Sequence, residues 1–274
     1  MIERFYLDEW RQFAPWPTLT QVEQDLIISR ALVCLYKNSH VKNALAFRGG
    51  TALNKLFLEF PARFSEDLDF VQIQSEGIGK TLDQIRSALA WLGQPKIKIT
   101  ERSAKLIYRY QSAENIPSKL KIEINITEHY QIFDHVNLQY EVDSGWFKGK
   151  ANITTFELDE LMGSKLRALY QRRKGRDLFD MWLMIKNNKI NFDRVLTVFK
   201  YHYKEVDDFV TRAQFEKSLF EKAQHPDFQS DTSALLSEIG DWHFEDACNV
   251  ILEKIIAKFP GDAWNLKDSA EKFL

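Results

Sequence analysis

The sequence predicts an α+β protein, a mixed sheet with flanking helices followed by a mainly helical second domain. Three observations carry that expectation. Residues 67–70 and 120–126 alternate polar and apolar side chains with a period of two, as half-buried strands do. Leu53, Leu56, Phe57 and Phe60 recur at i, i+3, i+4 and i+7, the spacing of a helix with one buried face. From Thr154 onward the pattern turns almost wholly helical, which places a domain boundary near residue 150 and divides the chain into 1–150 and 151–274.

Composition narrows the class. A chain of 274 residues with 45% hydrophobic and 13% aromatic content can bury a sizeable core and is folded rather than disordered. A formal charge of −2 gives no global pull toward nucleic acid, so any RNA contact must come from a local patch. Cys34 and Cys248 have no CxxC or metal-ligand companions and read as reduced, buried thiols. The N-terminus lacks a signal peptide's apolar core, and no apolar run reaches 18 residues, so a cytoplasmic protein without a membrane span is expected.

In chain order, residues 1–45 read as helical, with Thr20 and Glu23 as a capping box. Gly49, Gly50 and Thr51 stand at the mouth of the helix that carries Leu53 to Phe60, and the connector holding Pro61 closes it. Asp67 and Asp69 then alternate with Leu68 and Phe70, so both carboxylates leave one face of a strand, their Cα atoms roughly 6.6 Å apart. A helix follows over about 81–92 and ends at Gly93. Residues 96–100 and 105–110 suggest a hairpin. The segment 120–126 puts Leu120, Ile122, Ile124 and Ile126 on one face and Lys121, Glu123 and Asn125 on the other. If it lies beside the Asp67–Asp69 strand, Glu123 joins the aspartates; otherwise that face is simply wet. His129 and His135 lack the i, i+4 spacing of a zinc helix and are read as loop residues.

A glycine turn at a helix N-terminus exposes N–H groups that can cradle a triphosphate, and paired carboxylates can hold Mg²⁺ or Mn²⁺. Each piece alone is common; together, with a helix between, they point to phosphoryl chemistry. The combination of Gly49, Gly50 and Thr51 with the run FSEDLDF at 64–70 resembles the first motif of the polymerase-β-like nucleotidyltransferase superfamily. Within it, the chain is most similar to the AbiEii/AbiGii toxin family. Two departures are visible. Sixteen residues (51–66) separate Gly50 from Asp67, more than in the shortest superfamily versions. Gly50 stands where many relatives have Ser, so a hydroxyl contact to phosphate would come from Thr51 or Ser65.

The second cluster lies in 154–182. Thr154 to Glu157 reads as a capping box for a helix carrying Leu158, Leu161, Met162, Leu166 and Leu169, with Lys165 on or beside its apolar stripe. Lysines there usually snorkel to solvent. The helix is expected to end with Gly175 at C′, and Asp177 to stand as N-cap of the next one. Arg167, Arg172, Arg173, Lys174 and Arg176 crowd within ten residues as a basic collar suited to a polynucleotide end, although a helix C-terminus also explains basic residues there. The run 165–182 again resembles the toxin nucleotidyltransferases, in which a lysine and an Arg-Asp pair complete the active site.

The resemblance implies a polymerase-β-like core in 1–150 and a helical domain completing the active site in 151–274. It implies a Mg²⁺- or Mn²⁺-dependent transfer of NMP from an NTP to an acceptor, a tRNA 3′ end being the family's direction. Asp67, Asp69 and Glu123 would bind metal, with Glu123 also activating the acceptor hydroxyl. Gly49, Gly50, Thr51, Ser65 and Arg176 would bind nucleotide, Lys165 would contact phosphate, and Asp177 would orient Lys165, Arg176 or substrate. Arg167, Arg172, Arg173 and Lys174 would meet RNA. The partner would be a separate antitoxin protein, in a phage-defence setting. Two other readings stay open on the residues alone: a metal-dependent nuclease or phosphohydrolase using water, and a non-catalytic nucleotide-binding module, against which the intact carboxylates argue.

Overall fold

Helix α2 (Leu19–Lys37) opens two residues earlier than expected. Thr18, not Thr20, is its N-cap: the Thr18 side chain accepts from the backbone N–H of Gln21, and Gln21 accepts from the backbone N–H of Thr18. Thr20 sits inside the first turn, where its hydroxyl donates to Glu114 instead. The computed structural model describes residues 2–203, 209–232 and 242–264. The chain divides into two units, Met1–Glu157 and Leu158–Leu274.

In the first unit, α1 (Arg4–Trp10), α2 and α3 (Ser39–Ala44) lead into β1 (Leu45–Arg48), which passes directly into α4 (Gly49–Leu56). Then come β2 (Asp67–Gln72), α5 (Gly79–Ala88), a short 3₁₀ turn at Ala90–Leu92, β3 (Lys96–Ile99), β4 (Ser103–Gln111), β5 (Pro117–Asn125), β6 (Val136–Asp143) and β7 (Lys148–Thr155). All seven strands join one sheet in the order β3-β4-β5-β2-β1-β7-β6. β2 runs parallel to β5 and β1 parallel to β7, while the other pairs are antiparallel, so the sheet is mixed.

Strand alternation separates its two faces. Phe47, Leu68, Phe70, Leu106, Leu120, Ile122 and Ile124 are fully or almost fully buried, and α2 packs on the sheet. The Tyr36 hydroxyl lies 3.1 and 3.0 Å from the carbonyl oxygens of Leu45 and Thr154, tying α2 to both. Fully burying an apolar side chain such as Phe70 or Ile122 stabilises by about 2 kcal/mol.

Helix α4 is shorter than its apolar spacing suggests. It stops at Leu56, and Phe60 is 74% exposed in the connector. Thr154 and Thr155 do not cap a helix. They extend β7, with the Thr155 hydroxyl donating to the Phe47 carbonyl at 2.7 Å and Thr154 to that of Lys42 at 3.0 Å. β-Branched residues suit that pleated surface, and the sheet takes their hydroxyls first.

The second unit holds α6 (Leu158–Gln171), α7 (Gly175–Lys186), α8 (Phe192–Tyr201), α9 (Arg212–Ala223), α10 (Pro226–Ser230) and α11 (Phe244–Lys254). Phe199, Phe215 and Phe259 form an aromatic core with ring centroids 5.0 to 5.9 Å apart. Gly175 opens α7 rather than closing α6. A Cβ there would lie 2.1 Å from the Phe228 carbonyl oxygen, so close approach of α10 explains the glycine. No helix among the described residues is long and apolar enough to cross a membrane.

Candidate active site

The Gly-Gly turn is built by the junction of β1 and α4. β1 pairs antiparallel with β2, setting Arg48 opposite Asp69. The next residue, Gly49, has φ +83°, and a Cβ on it would lie 2.7 Å from Asp69 Oδ2. Only glycine meets both demands without strain. A Cβ on Gly50 would lie 2.1 Å from a guanidinium nitrogen of Arg63, which is itself buried. The first N–H groups of α4 lack partners within the helix and are available to an anion. Thr51 is buried and braces this turn: its hydroxyl donates to the Asp67 carbonyl at 2.5 Å and lies 2.7 Å from the Ser65 hydroxyl. Of the two candidate hydroxyls, the half-buried Ser65 is therefore the one nearer solvent.

Sheet register then sets out the charges. Asp69 is opposite Arg48 on β1 and opposite Glu123 on β5, and Glu123 is opposite Lys105 on β4. One row across four strands thus reads Arg48, Asp69, Glu123, Lys105. In the neighbouring row Asp67 is opposite Lys121. Lys121 Nζ lies 2.6 Å from Asp67 Oδ2 and 3.4 Å from Glu123 Oε2, while Lys105 Nζ lies 2.9 Å from Glu123 Oε1. Arg48 itself pairs with Glu128 at 3.2 Å.

These neighbours pull the carboxylates apart chemically. Burial first, and the Asp67 charge next, push the Asp69 carboxyl above its ordinary range, against Arg48 and Lys121. Burial acts on Glu123 as well, but the hydrogen bond and charge of Lys105, joined by Lys121, outweigh it and hold Glu123 low. Asp67 and Asp69, two hard oxygen donors on one face with one carboxyl raised by its neighbour, fit a divalent cation. Among the described residues, no three His, Cys, Asp or Glu side chains are already gathered as a metal cage. Glu123 stands level with Asp69 but leans on the two lysines.

Lys165 and Asp177 lie in the second unit. Lys165 does not snorkel to solvent: it is 9% exposed, with Nζ 3.0 Å from Asp177 Oδ1 and 2.7 Å from Asp180 Oδ2. Asp177 is not an N-cap. It lies in the first turn of α7, fully buried, and also accepts from Arg172 Nε at 2.7 Å and Nη2 at 2.9 Å. Burial would raise its pKa, but Lys165 and Arg172 outweigh that and hold it at about 2. Of the partners expected for Asp177, the structure supplies Lys165; Arg176 instead faces Asp231, its Nε 3.8 Å and its backbone N–H 3.2 Å from Oδ2.

The basic collar is thus not a uniform patch. Arg172 is joined to Asp177, Lys174 reaches Asp231 at 3.5 Å, Arg167 lies 3.2 Å from His202 Nδ1, and Arg173 is exposed. Sequence reasoning passed over Arg48, Arg63, Lys105, Lys121 and Asp180. Asp180 was discoverable, since Asp177 and Asp180 share a helix face at i, i+3. The others needed the sheet register or the fold of the connector.

The family model that the chain matches makes it a nucleotidyltransferase. A protein of H. pylori provisionally assigned as a nucleotidyltransferase has a similar structure, with a TM-score of 0.52 and 20% identity over 88% of this chain and 98% of its own. So does MenT4, a nucleotidyltransferase toxin of Mycobacterium tuberculosis H37Rv, with a TM-score of 0.54 and 16% identity over 92% of this chain and 99% of its own. At such identities the likeness is one of fold. No curated protein matches the sequence significantly. The family of AbiEii nucleotidyl transferase toxins, from type IV toxin–antitoxin systems, matches residues 30–250. The chain belongs to that family, whose match spans both motif clusters.

Proposed function

We propose that the protein transfers a nucleoside monophosphate from an NTP to the 3′ end of a tRNA, in a Mg²⁺-dependent reaction. The observation that carries this reading is the approach of Gly49 to Asp69, which sets a phosphate-cradling turn against the carboxylate pair. In this account the N–H groups at Gly49, Gly50 and Thr51 and the Ser65 hydroxyl hold the triphosphate. Asp67 and Asp69 hold the divalent cation, which would neutralise phosphate charge and acidify the attacking hydroxyl. The acceptor 3′ oxygen bonds to the α-phosphorus, the bond to the β-phosphate oxygen breaks, and pyrophosphate leaves. With its pKa held down, Glu123 takes a proton only from a hydroxyl already made acidic. In the second unit, Asp177 fixes the ammonium of Lys165. Exposed Arg173 gives RNA a cationic contact.

Family membership supports a toxin whose antitoxin is a separate protein, acting in the cytoplasm. The test of the acceptor is incubation with each labelled NTP, Mg²⁺ and tRNA whose 3′ ends are intact or periodate-oxidised. Label is expected on intact tRNA alone. Equal labelling of both would exclude the 3′ hydroxyl as acceptor.

A further inference from the structure

The charge rows hold an ammonium where a cation is expected to go. Lys121 projects from β5 on the same face as Glu123, and the parallel register sets it opposite Asp67. Its Nζ reaches carboxylate oxygens on two strands, at 2.6 Å to Asp67 and 3.4 Å to Glu123. The shorter contact occupies Oδ2 of Asp67, one of the two oxygens for which a hard cation would compete. The pair is not locked in: the side chains of Lys121, Asp67 and Glu123 are 28%, 34% and 29% exposed. A four-carbon stem lets the ammonium swing aside without disturbing the strand.

We propose that Lys121 is the resident counter-ion of the carboxylate cluster, a tethered ammonium that a divalent cation must displace from Asp67 in order to bind. The inference rests on the assignment of Asp67 and Asp69 as metal ligands. Tethering keeps the ammonium at high local concentration, so bare divalent ions compete poorly. A metal arriving with a triphosphate competes better, because the phosphates supply the displaced ammonium with a new anionic partner. Lys121 is thereby a positioning residue that couples metal loading to nucleotide arrival. Lys105 differs, since its 2.9 Å contact is to Glu123.

The test is the affinity for Mn²⁺ alone, without nucleotide, read from the electron paramagnetic resonance signal of the free ion. Lys121→Met removes the charge and keeps the stem; Lys121→Gln serves if the Met variant does not fold. Either is expected to bind Mn²⁺ about tenfold more tightly than wild type, the scale of removing one positive charge a few ångströms from a dication. Lys121→Arg should stay near wild type, and Lys105→Met within about twofold. Unchanged affinity in Lys121→Met or Lys121→Gln overturns the proposal, as does an equal gain in Lys105→Met, which would reflect net charge rather than displacement. Asp67→Asn/Asp69→Asn separates the two levels. Its loss of Mn²⁺ binding with Lys121→Met unchanged refutes the role of Lys121 alone, whereas wild-type binding refutes the metal ligands themselves and the inference with them.

Discussion

Asp69 of β2 stands directly opposite Glu123 of β5, two carboxylates side by side on adjacent parallel strands. Like charges so placed destabilise a sheet by up to about 1 kcal/mol. Arg48 and Lys105 flank the row and Lys121 reaches in from the next, so the fold tolerates the clash only with cations around it. In the proposed mechanism, relief of that clash would favour binding of a divalent cation.

Removing one carboxylate charge should therefore help the metal-free protein. Asp69→Asn is expected to raise the melting temperature in EDTA by about 2 °C, the equivalent of part of that repulsion. The sign follows from the raised Asp69 pKa: folding favours the protonated form, so this group costs stability as pH rises through its folded pKa. Mg²⁺ should raise the melting temperature of wild type and leave Asp67→Asn/Asp69→Asn unmoved. Thermal scans with and without Mg²⁺ check both, and equal Mg²⁺ shifts would reject the two ligands.

Lys165 is expected to be costly to remove. Lys165→Met keeps the stem but leaves Asp177 and Asp180 facing each other in a buried site, a loss of about 3 kcal/mol or more. Adding Asp177→Asn should recover part of it, because one of the two like charges that shared the ammonium goes. Urea unfolding of the two variants measures the coupling. A fully stable Lys165→Met would show that the cluster does not hold this unit together.

Acid should act through Asp177. Its pKa is lowered from the unfolded value to about 2, so its contribution, of order 2 kcal/mol, is present above about pH 4 and lost as pH falls through 2. Asp177→Asn should flatten the stability profile between about pH 4 and 2, measured by denaturant midpoints across that range. An unchanged slope would contradict the buried ion-pair assignment.

RNA contact is best probed at Arg173. Charge reversal at Arg172 would break the bidentate contact to Asp177 and confound binding with folding. Arg173→Glu should leave unfolding unchanged and weaken tRNA binding severalfold, with a shallower salt dependence. Filter binding at two salt concentrations reads this, and an unaltered slope would remove Arg173 from the interface.

Much of the site was legible because strand alternation is a local property. Asp67, Asp69 and Glu123 were placed on polar faces from a period of two, and the Gly-Gly turn from its position ahead of a helix. Lys121 lay on the same face as Glu123, but a lysine on a half-exposed strand reads as solvated until the register sets it against Asp67. Caps failed where two candidates competed. Thr18 and Thr20 each start a capping pattern, and the hydroxyls of Thr154 and Thr155 were claimed by the sheet. Gly175 looked like a helix terminator, whereas its cause is α10, more than fifty residues away. Lys165 and Asp177 were expected as functional residues, but their mutual burial depends on packing between α6 and α7, which helical spacing does not encode.

The central claim, nucleotidyl transfer rather than hydrolysis, is tested most directly by following two labels in one reaction. With NTP labelled at the α- or γ-phosphate, Mg²⁺ and tRNA, the account predicts that α-label stays on the tRNA while γ-label leaves as pyrophosphate, and that Asp67→Asn/Asp69→Asn does neither. Release of α-label as free mononucleotide, or transfer that persists in the double variant, would contradict it.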